Sequence, residues 1–428
     1  MRKRHLETQE AGTGATAEFD AVARACGHTY LRQHPSFHFA SKIRVDNIEG
    51  LQRHLCHVDE ATKQARLVAF EELSNRKRLW QGVHDRGEAY IFASGTLAQG
   101  DHELMAEHFP ARLKAVSIAR LTLEPGEVLD LSTHPDEWAV GHREELYLLI
   151  NIDRCSIGRG AKLVVRGNVA SILIQCLITA HGPDEAPHIE ILGTPFPVDT
   201  RITGPLDGDD GLPGGSGHDG AVGATSRLRH TMFGSFASDA IPLERCNGAD
   251  GEAGQNGGNG RRGRTGGMCK TAEITVRHFL EGSGVLRVHA EAGRGGNGGN
   301  GGHAGPGGQP GAPGIGFAKN DCLPRNGQAG RPGNGGNGGN GGHGGNGGIS
   351  SIVFITCPAE QANLVRASSR PSPGGCGGKG GQGGLAGMPD PTSSPKQLKA
   401  KPGKDGIDGI DGRSRPPARI YVNERLTT

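Results

Sequence analysis

The apolar rhythm of the chain changes twice along its length. Between residues 59 and 80, Leu67, Ala69, Phe70 and Leu73 share one helical stripe, strong helix formers surround them, and Asp59 stands where an N-cap belongs. Just before it, "FHFASKIRV" (37–45) alternates apolar and polar side chains like a half-buried strand. From about residue 114 the rhythm becomes short β-branched stretches. "AVSIARLTLEPGEVLDL" (115–131) and "LYLLINIDRCSIGRGAKLVV" (146–165) share one plan: an apolar strand, a glycine-bearing corner, a second strand. Repeating that unit is what stacked turns of a parallel β-solenoid would do, and a β-sandwich is the alternative.

From residue 204 a period of three takes over. Glycine holds every third position through six runs: 208–225, 248–268, 293–316, 327–350, 374–385 and 403–414. The fourth reads GQA GRP GNG GNG GNG GHG GNG GIS. Three residues per turn is the geometry of the polyproline-II family, so each triplet position forms one face. Glycine at one position bares one face, and glycine at two positions bares two. A flexible linker has no reason to hold phase over so many triplets. A collagen triple helix needs far more proline than runs three and four carry, and apolar strands interrupt the triplets. An intramolecular bundle of polyglycine-II helices fits better, because neighbouring legs can satisfy each other's bare backbone. Gly293, Gly296, Gly299, Gly302, Gly333, Gly336, Gly339, Gly342 and Gly345 would then be structural glycines. Runs four and five are expected inside, run three mixed, and runs one, two and six outside. The spacer 271–292 reads as a hairpin turning at 281–284.

Composition narrows the picture further. The 428 residues include 74 Gly and 25 Pro, and aromatics make up only 4%. The glycine-rich part therefore has no ordinary oily core. With 47 basic and 45 acidic residues the net charge is +2, which gives no pointer to a nucleic-acid partner. "MRKRH" is followed by no apolar stretch, so cytoplasmic synthesis without a signal peptide is expected. No segment is long enough to cross a bilayer, so membrane insertion is not expected. Nine cysteines without CxxC spacing read as free thiols. Straight legs would place Cys246 with Cys322 at one end, and Cys269 with Cys357 and Cys376 at the other.

The run GNG GNG GNG GHG GNG, with asparagine as the favoured non-glycine residue, resembles two groups of polyglycine-II proteins. They are the receptor-binding tip adhesins of phage long tail fibres and the glycine-rich antifreeze protein of snow fleas. The resemblance covers residues 204–414 and is one of repeat, so no individual binding residue carries over. It implies a rigid glycine bundle following a β-rich attachment part, with binding in loops at one end. Residues 1–110 and the long strand-forming spacers depart from that pattern.

Chemical motifs are weak. "GGSGHDGAV" (214–222) nearly fits a calcium-binding nonapeptide through Asp219, but Ala221 replaces a large aliphatic residue and no tandem copy follows. His54 and His57 sit three apart and could share a helix face as metal ligands, and "HGPDEAPH" (181–188) clusters further ligand types; no second ligand pair is visible. "GRGAKLV" (158–164) lacks the GK[ST] and following helix of a phosphate loop. Asp130, Asp136, Glu137, Glu144 and Glu145 are the acids a polysaccharide-cleaving solenoid would draw on.

The expected fold is mainly β with glycine-rich repeats. The expected parts are a flexible N-terminus (1–18), a small α/β part (19–113), a solenoid-like or sandwich part (114–203) and a polyglycine-II bundle with interspersed strands (204–428). No cofactor is expected, calcium being the one the sequence would admit. The expected function is non-enzymatic: a rigid scaffold presenting loops to a surface glycan or protein. The alternatives are a solenoid enzyme on polysaccharide and an ice- or surface-binding slab.

Overall fold

A computed structural model describes the chain except residues 1–12, 30, 34, 36–37, 72–84, 139–144, 182–185, 195–205, 238–240, 319–320, 390–398 and 428. Most of the expected flexible N-terminus, the end of the 59–80 helix with Leu73, Glu144 and the middle of "HGPDEAPH" lie outside the described residues. So do the side chains of Asp136 and Cys322.

The protein is mostly sheet, with two large sheets. The first holds β1 (His38–Val45), β2 (Ala111–Leu123), β4 (Leu146–Ile157), β6 (Val169–Thr179), β10 (Ala272–Phe279), β14 (Ile352–Thr356), β16 (Arg419–Val422) and β17 (Arg425–Leu426), in that spatial order. Strands β2 to β16 are mutually parallel, and antiparallel β1 and β17 close the two edges. The second sheet is wholly parallel: β3 (Val128–Asp130), β5 (Lys162–Arg166), β7 (Ile189–Leu192), β11 (Leu286–Glu291) and β15 (Val365–Ser369). From β2 onward the chain alternates between the sheets, and each sheet gains its parallel strands in chain order.

Register explains the β-branched texture. Val116, Ile150, Ile172, Ile274, Ile355 and Val422 form one row across the first sheet, pointing into the core between the sheets. Leu163, Ile189 and Val288 face them from the second sheet. The corners at 124–127 and 158–161 stack, with Gly158 N–H on Leu123 O (2.8 Å) and Gly126 N–H on Arg159 O (2.9 Å).

Segment 271–292 is not a hairpin. Its two halves are β10 and β11, which belong to different sheets and extend each by one parallel strand. The β-rich part therefore does not end at 203: β10, β11, β14, β15 and β16 all come from beyond it.

Helices cover the outer face of the first sheet. They are α1 (Thr13–Ala25), α2 (Ile48–Leu55), α3 (Glu60–Glu71), α4 (Arg86–Phe92) and α5 (Gln99–Ala106), and the single-turn α6 (Pro135–Trp138) follows β3. Asp59 caps α3 by accepting from Thr62 N–H (2.8 Å), and Asn47 caps α2 through Gly50 N–H (2.9 Å). Leu51, Leu55, Ala69, Phe70, Ile91 and Phe92 pack on Leu113, Leu149, Ile352 and Phe354 in one cluster. Residues 19–113 thus share their core with the sheet.

Arg66, on the buried side of α3, is fully enclosed. It donates to Glu273 Oε2 (2.7 Å), Thr356 Oγ1 (2.8 Å), Phe92 O (3.3 Å) and Glu424 Oε1 (3.3 Å), and lies 4.5 Å from the Phe354 ring centroid. One guanidinium ties α3 to α4, to strands β10 and β14 and to the final turn.

The glycine runs leave and re-enter between these strands. Runs one and two lie between β7 and β10, runs three and four between β11 and β14, and runs five and six between β15 and β16. Each pair goes out from the second sheet and comes back to the first.

Candidate functional site

The runs lie side by side as an array held by backbone hydrogen bonds. Within run four the three N–H groups of one triplet go to three different runs. Gly336 donates to Gly305 O of run three (3.0 Å), Asn337 to Asn256 Oδ1 of run two (2.7 Å), and Gly338 to Lys404 O of run six (2.8 Å). The carbonyl of Gly336 accepts from Gly384 of run five, and that of Asn337 from Gly257 of run two. The pattern recurs every three residues along the run.

Counting partners orders the runs. Runs three and four each bond to four others, runs two and five to three, and runs one and six to two. Run three, expected to be mixed, is therefore as central as run four, while run five has one open side. Glycine at both the first and third positions of GNG GNG in run three (296–301) gives it bonds to runs two and five at once: Gly299 to Arg261 O, and Gly298 to Cys376 O.

Close approach explains the nine expected structural glycines. A Cβ on Gly293, Gly296, Gly299, Gly302, Gly333, Gly336, Gly339, Gly342 or Gly345 would overlap backbone atoms of an adjoining run. These are contacts with main chain, which cannot rotate away.

Asparagine has a separate task. Runs four to six carry N–H groups that no main-chain carbonyl takes, and side-chain oxygens from the run beside them accept these. Asn256 and Asn259 cap Asn337 and Asn340; Asn334, Asn337, Asn340 and Asn346 cap Lys401, Lys404, Ile407 and Arg413. Asp405, Asp408 and Asp411 cap Gly383, Gly380 and Gly377. Where histidine replaces asparagine the acceptor is Nδ1: His303 takes Gln382 N–H and His343 takes Ile410 N–H, both at 2.9 Å. A residue whose acceptor sits two bonds beyond Cβ reaches the neighbour, which is why Asn, Asp and His fill these positions.

The metal candidates are occupied otherwise. Asp219 Oδ1 caps Gln309 N–H (2.6 Å) as part of the same array. His57 Nε2 lies 3.0 Å from His54 O, its backbone N–H binds Glu273, and burial lowers the pKa of both rings. Among the described residues, no group of three His, Cys, Asp or Glu side chains is placed to hold a metal ion. Of the acids, Asp130 pairs with Arg166 (3.2 Å), Glu137 with Lys114 (3.2 Å), and buried Glu145 with Lys270 (2.6 Å) and Tyr147 Oη (3.0 Å). A shallow cleft where the array meets the sheets is lined by Arg166, Thr194, Glu291 and Arg294.

The thiols sort by depth. Cys269 and Cys357 both belong to the core between the sheets, but Cys269 lies beside Ser350 before β14 and Cys357 follows β14, so a full strand separates them. The expected grouping of these two is corrected on that ground. Cys376 is exposed on run five.

At the array's far end, β8 (Leu228–Thr231) and β9 (Gly234–Ala237) form a hairpin joining runs one and two, and β12 (Ile315–Ala318) pairs with β13 (Asp321–Asn326) between runs three and four. Buried Cys246 marks this end, its carbonyl accepting from Gly314 N–H (2.7 Å). The hairpin turn projects Met232 and Phe233 into solvent. No sequence periodicity announced this turn; the signal available was two large apolar residues beside a glycine in an otherwise polar stretch. Comparison of the chain with protein families, curated proteins and solved structures finds no match.

Proposed function

We propose that the six runs are the legs of a polyglycine-II bundle, that the two parallel sheets are stacked turns of a β-solenoid, and that the chain is a non-enzymatic binding protein. In this reading the solenoid is the base, the bundle a stiff spacer, and the far connections the binding end. The observation that carries it is the three-way bonding of Gly336, Asn337 and Gly338. A helix of three residues per turn aims successive N–H groups in three directions, as that pattern requires. At about 3.1 Å per residue, a run of twenty residues is on the order of 60 Å long, so the hairpin stands clear of the sheets. A backbone bonded on several sides has little freedom left to lose when a partner docks. The likeness of the triplets to the tail-fibre tip adhesins points the same way.

The test replaces hairpin 228–237 with a glycine–serine loop and measures binding to immobilised surface glycans and surface proteins. Binding that disappears with the hairpin supports the reading. Binding that survives its loss, or that maps to the sheets, contradicts it.

A further inference from the structure

The turn between β8 and β9 is chemically odd. Two-residue hairpin turns favour Gly, Asn or Asp, whose backbones tolerate the left-handed region. Here the turn is Met232–Phe233, followed by Gly234 at φ 125°. Met232 is 92% exposed and Phe233 86%, above every other large apolar residue described. Turn geometry does not call for either side chain, and among the described residues nothing covers them.

The residues around them narrow the occupant. From 221 to 237 the chain has no acidic residue, while Arg227, Arg229 and His230 are exposed just behind the turn. A soluble polyanion would need the arginines but not the apolar pair. An apolar pocket on a protein would need the pair but not the cationic collar. An anionic bilayer takes both: apolar tips enter the interface while arginines meet headgroup phosphates.

We propose that the distal hairpin is a peripheral anchor that docks the far end of the array on an anionic lipid bilayer through Met232 and Phe233, with Arg229 at headgroup level. The inference rests on reading the far end as the binding end. It concerns one leaflet only; no described helix is long and apolar enough to cross a membrane.

The experiment is co-sedimentation of the full chain with phosphatidylcholine vesicles, with and without phosphatidylglycerol. The chain should bind the anionic vesicles, and more weakly at high salt. The Met232→Ser/Phe233→Ser double variant should lose on the order of 100-fold in partitioning. Arg229→Glu should weaken binding by on the order of tenfold. All three changes are at exposed positions of the hairpin, two on its turn and one on β8, and unchanged melting checks the fold. In Phe233→Trp, brominated lipid should quench the new indole. An intact chain that ignores anionic vesicles, a double variant that binds as well as the parent, or an unquenched Trp each overturns the anchor. If vesicles are ignored but glycan or protein binding still needs the hairpin, the anchor falls and the distal-end reading stands. Vesicle binding that is unchanged when the whole hairpin is replaced contradicts both.

Discussion

Gly336→Ala adds one methyl group where two runs touch. The new Cβ overlaps the carbonyl oxygen of Gln255 and lies 2.8 Å from that of Gly254, both main-chain atoms of run two. To reach ordinary contact, runs two and four must part by roughly 1 Å. Three bonds between them then stretch out of range: Gly254 N–H to Asn334 O (2.9 Å), Gly257 N–H to Asn337 O (2.9 Å) and Asn337 N–H to Asn256 Oδ1 (2.7 Å). At about 1 kcal/mol net per bond, plus about 1–3 kcal/mol for overpacking, the expected loss is about 4–6 kcal/mol. The neighbouring Asn337→Ala removes only the acceptor for Lys404 N–H on an exposed face, and should cost about 0.5–1 kcal/mol. Denaturant unfolding of both variants measures the difference, and hydrogen exchange of run-two and run-four amides locates it. Equal stability of the two variants, or fast exchange of the Gly336 amide in the parent, would refute the reasoning.

Four further outcomes follow from the contacts. His343→Asn should be nearly neutral in unfolding experiments because Oδ1 replaces Nδ1 opposite Ile410 N–H, whereas His343→Ala should lose about 1 kcal/mol. Arg66→Met leaves Glu273 buried without its cation and should cost about 3–5 kcal/mol; Arg66→Met with Glu273→Met should recover most of it. Burial, then Arg287, lowers the His188 pKa from 6.5 to about 4, so the unfolded chain binds the extra proton between those values. Stability should therefore be full above pH 6.5 and fall by up to about 3 kcal/mol as pH drops to 4, and His188→Gln should flatten that part of the profile. Native thiol labelling followed by mass spectrometry should mark exposed Cys376 quickly, and Cys155 and Cys269, whose pKa burial pushes up to about 12, only on unfolding.

Local chemistry was legible in the sequence where one residue decides it. Asp59 caps its helix, the 124–127 and 158–161 corners stack, and the triplet phase places glycine where main chains meet. Sheet membership was not legible, because "TAEITVRHFL" and "GVLRVHAEA" carry the same pattern whether they pair with each other or with distant strands; only register decides. Arg66 was hidden because an arginine within a helical stripe reads as solvated, and its side-chain partners lie 207 to 358 residues away. The centrality of run three was hidden because Ala304, Pro306 and Pro310 dilute its glycine count, although Pro306 is exposed and Ala304 still donates its N–H to Gln382 O of run five. The capping task of asparagine needed the neighbouring run in view.

The claim that the runs are straight, extended legs is tested most directly by a distance along one of them. Ala253 and Thr265 are exposed on run two, twelve residues apart, and can be changed to cysteine for spin labelling after Cys376→Ser. An extended leg at about 3.1 Å per residue places the two backbones roughly 37 Å apart, and pulsed electron–electron resonance should return a narrow distribution near that value. A flexible glycine chain of the same length averages about 19 Å, so a broad distribution centred there would contradict the account.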